Sequence, residues 1–141
     1  MKLTIVYDNQ ADASLKSGWG FSCLIESKGK ILFDTGDSGE KLIYNMKQLN
    51  VEPDSINKVV ISHNHWDHIG GLKEFLQANN KAQVFHPKSF SKQTKISLGV
   101  YSTGALGTSI KEQSLVVSTK KANLIITGCA HPGLGACPSN S

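Results

Sequence analysis

The stretch His63-Asn64-His65-Trp66-Asp67-His68 places three imidazoles and a carboxylate within six residues, directly after the apolar run 58–62. Burying such a cluster without a cation is costly, because each unpaired polar group loses its hydration. His63 and His65 are two residues apart at the end of a predicted strand, so their side chains project on the same side. Catalytic zinc sites typically combine three such protein ligands with a water. The sequence therefore predicts a metal site formed by His63, His65, Asp67 and His68.

Two further segments fit a site at this place. Gly70-Gly71 follows the cluster, where a crowded loop needs backbone conformations and close approaches that a side chain would obstruct. Residues 125–131 repeat the arrangement of buried strand, glycine and histidine, so we expect His131 to complete the first cation site. His86 is an isolated histidine beside Pro87, and we predict that it lies outside the site.

Two other residues allow more than one interpretation. Asp34 is either a turn residue that closes a hairpin or the carboxylate that accepts the second ring N–H of a ligating histidine and so fixes its orientation. Cys129 adjoins His131, and either a ligand role or small apolar core packing fits its position.

Alternation and periodicity predict the elements. Segments 3–7, 20–26 and 31–33 are expected to be strands, the last two forming an antiparallel hairpin through the glycine-containing turn 27–30. Leu42, Ile43, Met46 and Leu49 form the apolar stripe of an amphipathic helix over 40–49. A buried strand over 58–62, a helix after Gly71, a strand over 82–86 and a hairpin of 114–118 with 123–127 follow. The polar segment 88–107 is expected to be mostly loop.

Length and composition limit the possible classes. The 141 residues suit one domain, which we place at 1–133 with a disordered tail at 134–141. Three cysteines without disulfide-like spacing indicate a reducing, cytoplasmic compartment, and no segment approaches the ~20 apolar residues needed to span a bilayer. The net charge of +4 comes from scattered lysines, which argues against a nucleic-acid partner and fits an anionic small-molecule substrate.

The motif His-x-His-x-Asp-His resembles that of the metallo-β-lactamase superfamily. Asp34 in Phe-Asp-Thr-Gly and His131 in Gly-Cys-Ala-His-Pro-Gly are similar to its first and third motifs. Residues 7–9, 18–22, 62–68 and 127–133 together resemble the branch often named for dihydropterin ribofuranosylaminobenzene phosphate synthase. The resemblance implies an α/β (α+β) fold, a four-layer αβ/βα sandwich with the metals at one edge of its two sheets.

The chain also departs from that pattern. Between Phe90 and Val100 it lacks the longer insert that helps to form the substrate pocket of relatives, and the final histidine of the family has no counterpart after His131. We therefore expect a sandwich that is incomplete at the C-terminus. The resemblance assigns His63, His65 and His131 to the first metal and leaves only Asp67 and His68 for the second. Cys137 could substitute in principle, but nothing specific supports it.

The function implied by the resemblance is metal-dependent hydrolysis, in which metal-activated water attacks a phosphoester or acyl substrate. Asp67 would be the catalytic residue that orients this nucleophile. Asp34 would accept a hydrogen bond from the second ring N–H of a ligating histidine. The expected cofactor is one or two Zn²⁺ ions, with Fe or Mn as alternatives, and a homo-oligomer could supply a missing ligand. The competing hypotheses are a catalytically degenerate metal-binding remnant without the full second site and a zinc-stabilised module that binds nucleic acid.

Overall fold

The strands of the protein form two sheets. The computed structural model describes residues 1–136. The first sheet contains five strands: β1 (Lys2–Tyr7), β2 (Ser22–Ser27), β3 (Gly29–Phe33), β4 (Lys58–Val60) and β5 (Gln83–Phe85). The second sheet contains four strands: β6 (Thr94–Ser97), β7 (Val100–Ser102), β8 (Leu115–Ser118) and β9 (Asn123–Ile126). Within each sheet the strands lie in chain order.

The α-helices within residues 1–136 all lie in the first part of the chain. They are α1 (Gly39–Gln48), α2 (Trp66–Ile69) and α3 (Leu72–Ala78), and short 3-10 turns occur at Pro53–Ser55 and Leu134–Ala136. Ser38 caps α1, because its hydroxyl accepts a hydrogen bond from the Lys41 amide at 3.3 Å. No helix within residues 1–136 is long and apolar enough to cross a membrane.

The direction of the strands explains where polar residues gather. β1, β2 and β3 are antiparallel, whereas β3, β4 and β5 run parallel to one another. The carboxyl ends of β3 and β4 therefore lie side by side at one edge of the sheet. Asp34 directly follows β3, and Ser62 and His63 follow β4, so the topology brings these three residues together.

Two apolar clusters hold the layers together. One lies between the first sheet and helices α1 and α3, and it includes Leu32, Leu42, Met46 and Phe75. The other lies between the two sheets, and it includes Ile25, Phe33, Val60, Leu115 and Val117. Successive residues of a strand point to opposite faces, so β3 contributes Leu32 to the first cluster and Phe33 to the second.

The mixed α/β class and the two-sheet architecture expected from the sequence are confirmed, as are the two hairpins, β2 with β3 and β8 with β9. A fourth layer, of helices on the second sheet, is not seen: after Ala78 residues 79–136 contain no α-helix. Residues 134–136 form a 3-10 turn, whereas 137–141 lie outside the described part, so the disordered tail stays a prediction.

Segment 88–107 is mostly loop, as predicted, but it also contains two strands that the sequence did not reveal. β6 and β7 form an antiparallel hairpin in this segment. The two strands bury only Ile96, Val100 and Ser102, and their other side chains remain at least partly exposed. So few buried apolar residues give no alternation that could be detected among the serines and lysines. Gly99 makes the tight turn possible, with a φ of 71° that favours glycine.

The outer edge of the second sheet is apolar. β9 pairs with β8 and is the last strand of this sheet within the described residues. Leu124 is 42% exposed and Ile125 is 45% exposed. Both residues belong to a strongly β-forming segment.

Candidate metal centre

The predicted ligands converge at the sheet edge. His63, His65, Cys129 and His131 form one group of possible metal ligands, and Asp67, His68 and Cys129 form a second. Within each group, one ligand atom from every residue lies within 4.8 Å of the others. His63 and His65 come from the loop after β4, Asp67 and His68 from α2, and Cys129 and His131 from the loop after β9. Both sheets therefore contribute to one site.

Asp34 lies behind this cluster and organises it. Its carboxylate is fully buried and accepts hydrogen bonds from the Ser62 amide at 2.7 Å and from the Ser62 hydroxyl at 2.6 Å. The same carboxylate lies 2.6 Å from Nδ1 of His68. The structure thus places Asp34 in contact with the second nitrogen of a predicted ligand. Its φ of 58° is a backbone conformation that aspartate tolerates better than most residues.

The hydrogen bonds of Ser62 determine which nitrogen of His63 faces the cluster. Ser62 Oγ donates its single proton to Asp34, so it can only accept from Nδ1 of His63, 2.8 Å away. His63 Nδ1 therefore carries the proton, and Nε2 holds a free lone pair. Because a carboxylate only accepts hydrogen bonds, His68 Nδ1 donates to Asp34, and Nε2 of His68 faces the cluster. In their neutral forms, both imidazoles present a lone pair, the form that a metal requires.

The unpartnered Nε2 of His63 indicates whether a cation fits this cluster. Within the described residues, His63 Nε2 and Ser22 Oγ are the buried side-chain atoms without a hydrogen-bond partner. The His63 ring centroid lies 4.4 Å from the rings of His65 and His68 and 4.9 Å from that of His131. Such an orphaned acceptor among other imidazoles is what a cation would satisfy, so the donor set fits a divalent metal.

The protonation preferences of His63 and His68 differ. The lowered pKa of His63 favours the neutral ring with its lone pair, whereas the raised pKa of His68 favours the protonated ring, whose Nε2 proton a metal would displace. Burial, followed by the charge of the neighbouring His68, lowers the pKa of His63 to about 4, which favours the neutral ligand form. Burial acts to lower the pKa of His68, but the hydrogen bond and charge of Asp34 outweigh it and raise that pKa. Burial raises the pKa of Asp34, against the opposing effect of His68 and Ser62. A proton is therefore held between Asp34 and His68.

Cys129 does not pack in the core. Its side chain is exposed, whereas that of Cys23 on β2 is buried, so the apolar-packing interpretation of Cys129 was wrong. Its Sγ lies 3.3 Å from Nε2 of His68. Partial burial, and then the negative charges of Asp67, Glu112 and Asp34, raise the pKa of the thiol. Without a cation, Cys129 is therefore a thiol rather than a reactive thiolate.

Glu112 is a residue of this centre that the sequence did not reveal. It is almost fully buried, and its carboxylate accepts hydrogen bonds from the backbone amides of Ala130 at 2.8 Å and His131 at 2.9 Å. The Thr127 hydroxyl donates to the same group at 3.3 Å. Glu112 thereby fixes the loop 127–131, in which Ala130 has a φ of 56°. A lone glutamate before β8 carries no motif, so only the folded contact identifies it.

Glycines allow the segments of the centre to approach closely. A Cβ atom on Gly128 would lie 2.3 Å from Ser62 Oγ, and one on Gly71 would lie 2.3 Å from the Thr35 carbonyl oxygen. Gly70 would similarly clash with the Asp37 carbonyl oxygen at 2.5 Å. The close approach predicted at Gly70-Gly71 is therefore present. The unusual backbone conformation is not, because both residues have helical φ and ψ values.

A family profile of the metallo-beta-lactamase superfamily matches residues 20–107, more than half of the chain. The chain belongs to this superfamily. Members typically depend on divalent metal ions, and the two ligand groups provide a candidate site for them. Membership indicates a metal-dependent hydrolase or a related enzyme.

Relatives and solved structures agree with the assignment. The chain is 38% identical over 100 residues to a 7,8-dihydropterin-6-methyl-4-(beta-D-ribofuranosyl)-aminobenzene-5'-phosphate synthase of Methanocaldococcus jannaschii, covering 67% of the chain and 34% of the relative. It is 40% identical over 60 residues to the exodeoxyribonuclease WalJ of Streptococcus pneumoniae, covering 43% of the chain and 22% of the relative. The chain thus spans about a third or less of these curated relatives.

The fold matches solved members of the superfamily. The crystal structure of Tm1679, a metal-dependent hydrolase of the beta-lactamase superfamily, superposes with a TM-score of 0.72 at 26% identity, covering 94% of this chain and 67% of that one. A quorum-quenching N-acyl homoserine lactone lactonase shares the fold with a TM-score of 0.56 at 20% identity, covering 77% of this chain and 57% of that one.

Two clefts adjoin the centre of this metallo-β-lactamase domain. One, of about 260 Å³, is lined by His65, Asn64, Pro87, Lys88, Ser109, Ile110 and Lys111. The other, of about 470 Å³, is lined by His131, Pro132, Ala136 and residues 107–110. Each cleft contains a predicted ligand, so a small molecule bound in either would lie against the centre. Within the described residues, His86 belongs to neither ligand group.

Proposed function

We propose that this protein is a hydrolase of phosphoesters that works with divalent cations, zinc in the first instance, held by His63, His65, Asp67, His68 and His131. The observation that carries the proposal is the buried His63 Nε2, which has no partner and is surrounded by the other imidazoles. A divalent cation bound there would lower the pKa of a bound water toward neutrality and so supply a nucleophile at neutral pH.

The chain's own residues then have separate tasks. Asp34 and Ser62 hold the protons on the far nitrogens of His63 and His68, which keeps Nε2 of each ring available. Glu112 fixes the backbone that carries His131. Asp67 is partly exposed, and its carboxylate lies 3.7 Å from Nε2 of His68, within reach of both the cluster and solvent. We assign to Asp67 the orientation of the attacking water.

Two observations support a phosphoester over an acyl substrate. Lys88 and Lys111 line the cleft beside His65, and ammonium groups attract the negative charge of a phosphate. Two relatives, a phosphate synthase and an exodeoxyribonuclease, are also named for phosphate-containing compounds. Acyl substrates such as lactones remain the alternative, since the lactonase shares only the fold. A reducing cytoplasmic compartment, which we also propose, would keep the cysteine of the site reduced.

The test combines metal analysis with turnover. Protein purified without chelator is analysed for zinc, manganese and iron, and hydrolysis of bis(p-nitrophenyl) phosphate is compared with that of an N-acyl homoserine lactone. We expect bound zinc and faster turnover of the phosphodiester. His65→Ala should lose most of the metal and all of the hydrolysis, because His65 belongs to the first ligand group.

His86→Ala is the matched control. His86 is an exposed histidine close in sequence, but it belongs to neither group, so metal content and turnover should stay unchanged. Undiminished turnover in His65→Ala would contradict the proposal. One equivalent of metal in the wild-type protein without any turnover would instead favour the degenerate metal-binding remnant.

A further inference from the structure

Cys129 is the residue common to both groups of possible ligands. The first group joins it to His63, His65 and His131, and the second joins it to Asp67 and His68. Within residues 1–136 the second group contains only two residues besides the cysteine. Zinc sites commonly have three or four protein ligands. The Cys129 sulfur therefore supplies a third possible ligand beside Asp67 and His68.

The distance between Cys129 and His68 fits two ligands of one cation. With zinc bonds of about 2.0–2.1 Å to nitrogen and about 2.3 Å to sulfur, tetrahedral geometry separates the two atoms by about 3.6 Å. The observed separation between Sγ and Nε2 is 3.3 Å. The difference of a few tenths of an ångström requires no rearrangement of the loop.

The hydrogen bonds around the cysteine also favour coordination. In the neutral form of His68, the protonated nitrogen is turned toward Asp34, and the nitrogen that faces the sulfur has a free lone pair. His63 Nε2, in the other group, is fully buried and has no partner. Two lone pairs from different groups therefore face the region next to Cys129.

We propose that the Cys129 thiolate is a ligand shared by the two cation positions, and that the site thereby selects borderline-soft cations of the zinc class. On cation binding, the S–H group loses its proton to solvent, and a sulfur lone pair forms the bond to the cation. Thiolate ligands suit zinc, whereas magnesium and manganese prefer oxygen. The inference rests on the proposed function, because it names the donor set of the same site.

A structural role for the thiol makes a different prediction. In that case the S–H group donates a hydrogen bond to Nε2 of His68 and merely supports the ring. A serine in place of Cys129 would then preserve the contact, and no sulfur–metal bond would form. The two roles can be separated by spectroscopy, without reference to activity.

The experiment uses cobalt as a probe. Wild-type protein is stripped of metal and titrated with Co²⁺, and the near-ultraviolet absorption is recorded for the thiolate-to-cobalt charge-transfer band. We expect the band to grow through two equivalents of Co²⁺ and to be absent in Cys129→Ser. In zinc competition titrations, Cys129→Ser should bind at least roughly 10–100-fold more weakly, the loss that even an outer-sphere partner causes.

The chain offers a sharp control because it contains three cysteines. The double variant Cys23→Ala/Cys137→Ser retains Cys129 as its sole cysteine, and its band should match that of the wild type. Circular dichroism establishes that each variant is folded. A proton-release measurement adds a second readout: zinc binding should release about one proton fewer in Cys129→Ser, since one thiol fewer is ionised.

Each outcome decides the question. A wild-type protein that binds Co²⁺ and hydrolyses phosphodiesters without a charge-transfer band would overturn the cysteine ligand and leave the proposed function standing. A band that persists in Cys129→Ser would also overturn it, and saturation after one equivalent would overturn the shared role. A protein that binds neither Co²⁺ nor Zn²⁺ would sink both the inference and the proposed function.

Discussion

Replacing Glu112 by glutamine should loosen the loop that carries Cys129 and His131. In the native protein, the two carboxylate oxygens accept hydrogen bonds from the backbone amides of Ala130 and His131. Glutamine has nearly the same size, but it replaces one acceptor oxygen by an NH₂ group. That group would face a backbone N–H, so two donors would meet and one hydrogen bond would be lost.

The magnitude follows from the number and type of these bonds. A hydrogen bond to a charged group contributes about 1.5–3 kcal/mol, so the two together contribute about 3–6 kcal/mol. Glutamine would retain one neutral bond of about 0.5–1.5 kcal/mol, a net loss of roughly 2–5 kcal/mol. Metal binding would have to restore the order that the loop has lost. Because about 1.4 kcal/mol corresponds to a tenfold change in an equilibrium constant, a loss of about 2 kcal/mol predicts cation binding weakened by up to about 30-fold.

The assay is zinc competition against a chromophoric chelator, together with urea unfolding of the metal-free protein. Glu112→Gln should lower both the zinc affinity and the free energy of unfolding. Glu52→Gln makes the same chemical change on an exposed carboxylate whose side chain caps no helix, so it should leave both quantities unchanged. A zinc affinity within twofold of the wild type in Glu112→Gln would refute the role assigned to Glu112.

Three other substitutions test separate parts of the argument. Asp34→Asn keeps a residue type that tolerates the φ of 58°, but its NH₂ group turns a donor toward Ser62 or His68. Zinc affinity should therefore fall roughly 10–100-fold in the same competition assay. An unchanged affinity would show that Asp34 is only a turn residue. Gly128→Ala should weaken zinc binding because the new Cβ would lie 2.3 Å from Ser62 Oγ, whereas Gly135→Ala has no atom within 4 Å and serves as its control; equal zinc affinities for the two variants would contradict the close approach. Asn45→Ala should lower the free energy of unfolding by about 2–4 kcal/mol, because the Val6 and Lys16 carbonyls lose the hydrogen bonds of 2.9 Å that the buried amide donates to them. Thermal and urea unfolding measure this loss. An unchanged zinc affinity per folded molecule would confirm that the effect is confined to the fold.

The sequence predicts the parts of this protein that have a strong local pattern. The stripe of Leu42 and Met46 indicates α1, and the β-branched run 58–62 indicates the strand that precedes the ligands. The hairpin of β6 and β7 has no such pattern, because its partly exposed strands bury only three side chains. Their stability comes from the pairing of β7 with β8 and from packing of Ile96 and Val100 against the first sheet.

The same distinction applies to the candidate site. The residues from 63 to 68 are close in sequence, so their chemistry can be recognised without a structure. Glu112 acts on a loop that begins 15 residues later along the chain, and this contact depends on how the two segments fold together. Cys129 has two plausible roles in the sequence, and only its distance from His68 and its exposure distinguish them.

The exposed apolar side chains of β9 have a practical consequence for handling the protein. Within residues 1–136, β9 is an edge strand, and an edge with Leu124 and Ile125 at its surface is a template for pairing with other chains. Lys120 and Lys121 lie in the preceding turn, and their like charges repel a second copy that approaches along this edge. Raised ionic strength screens that repulsion. Concentrated stocks should therefore precipitate sooner in high-salt buffers than in dilute ones.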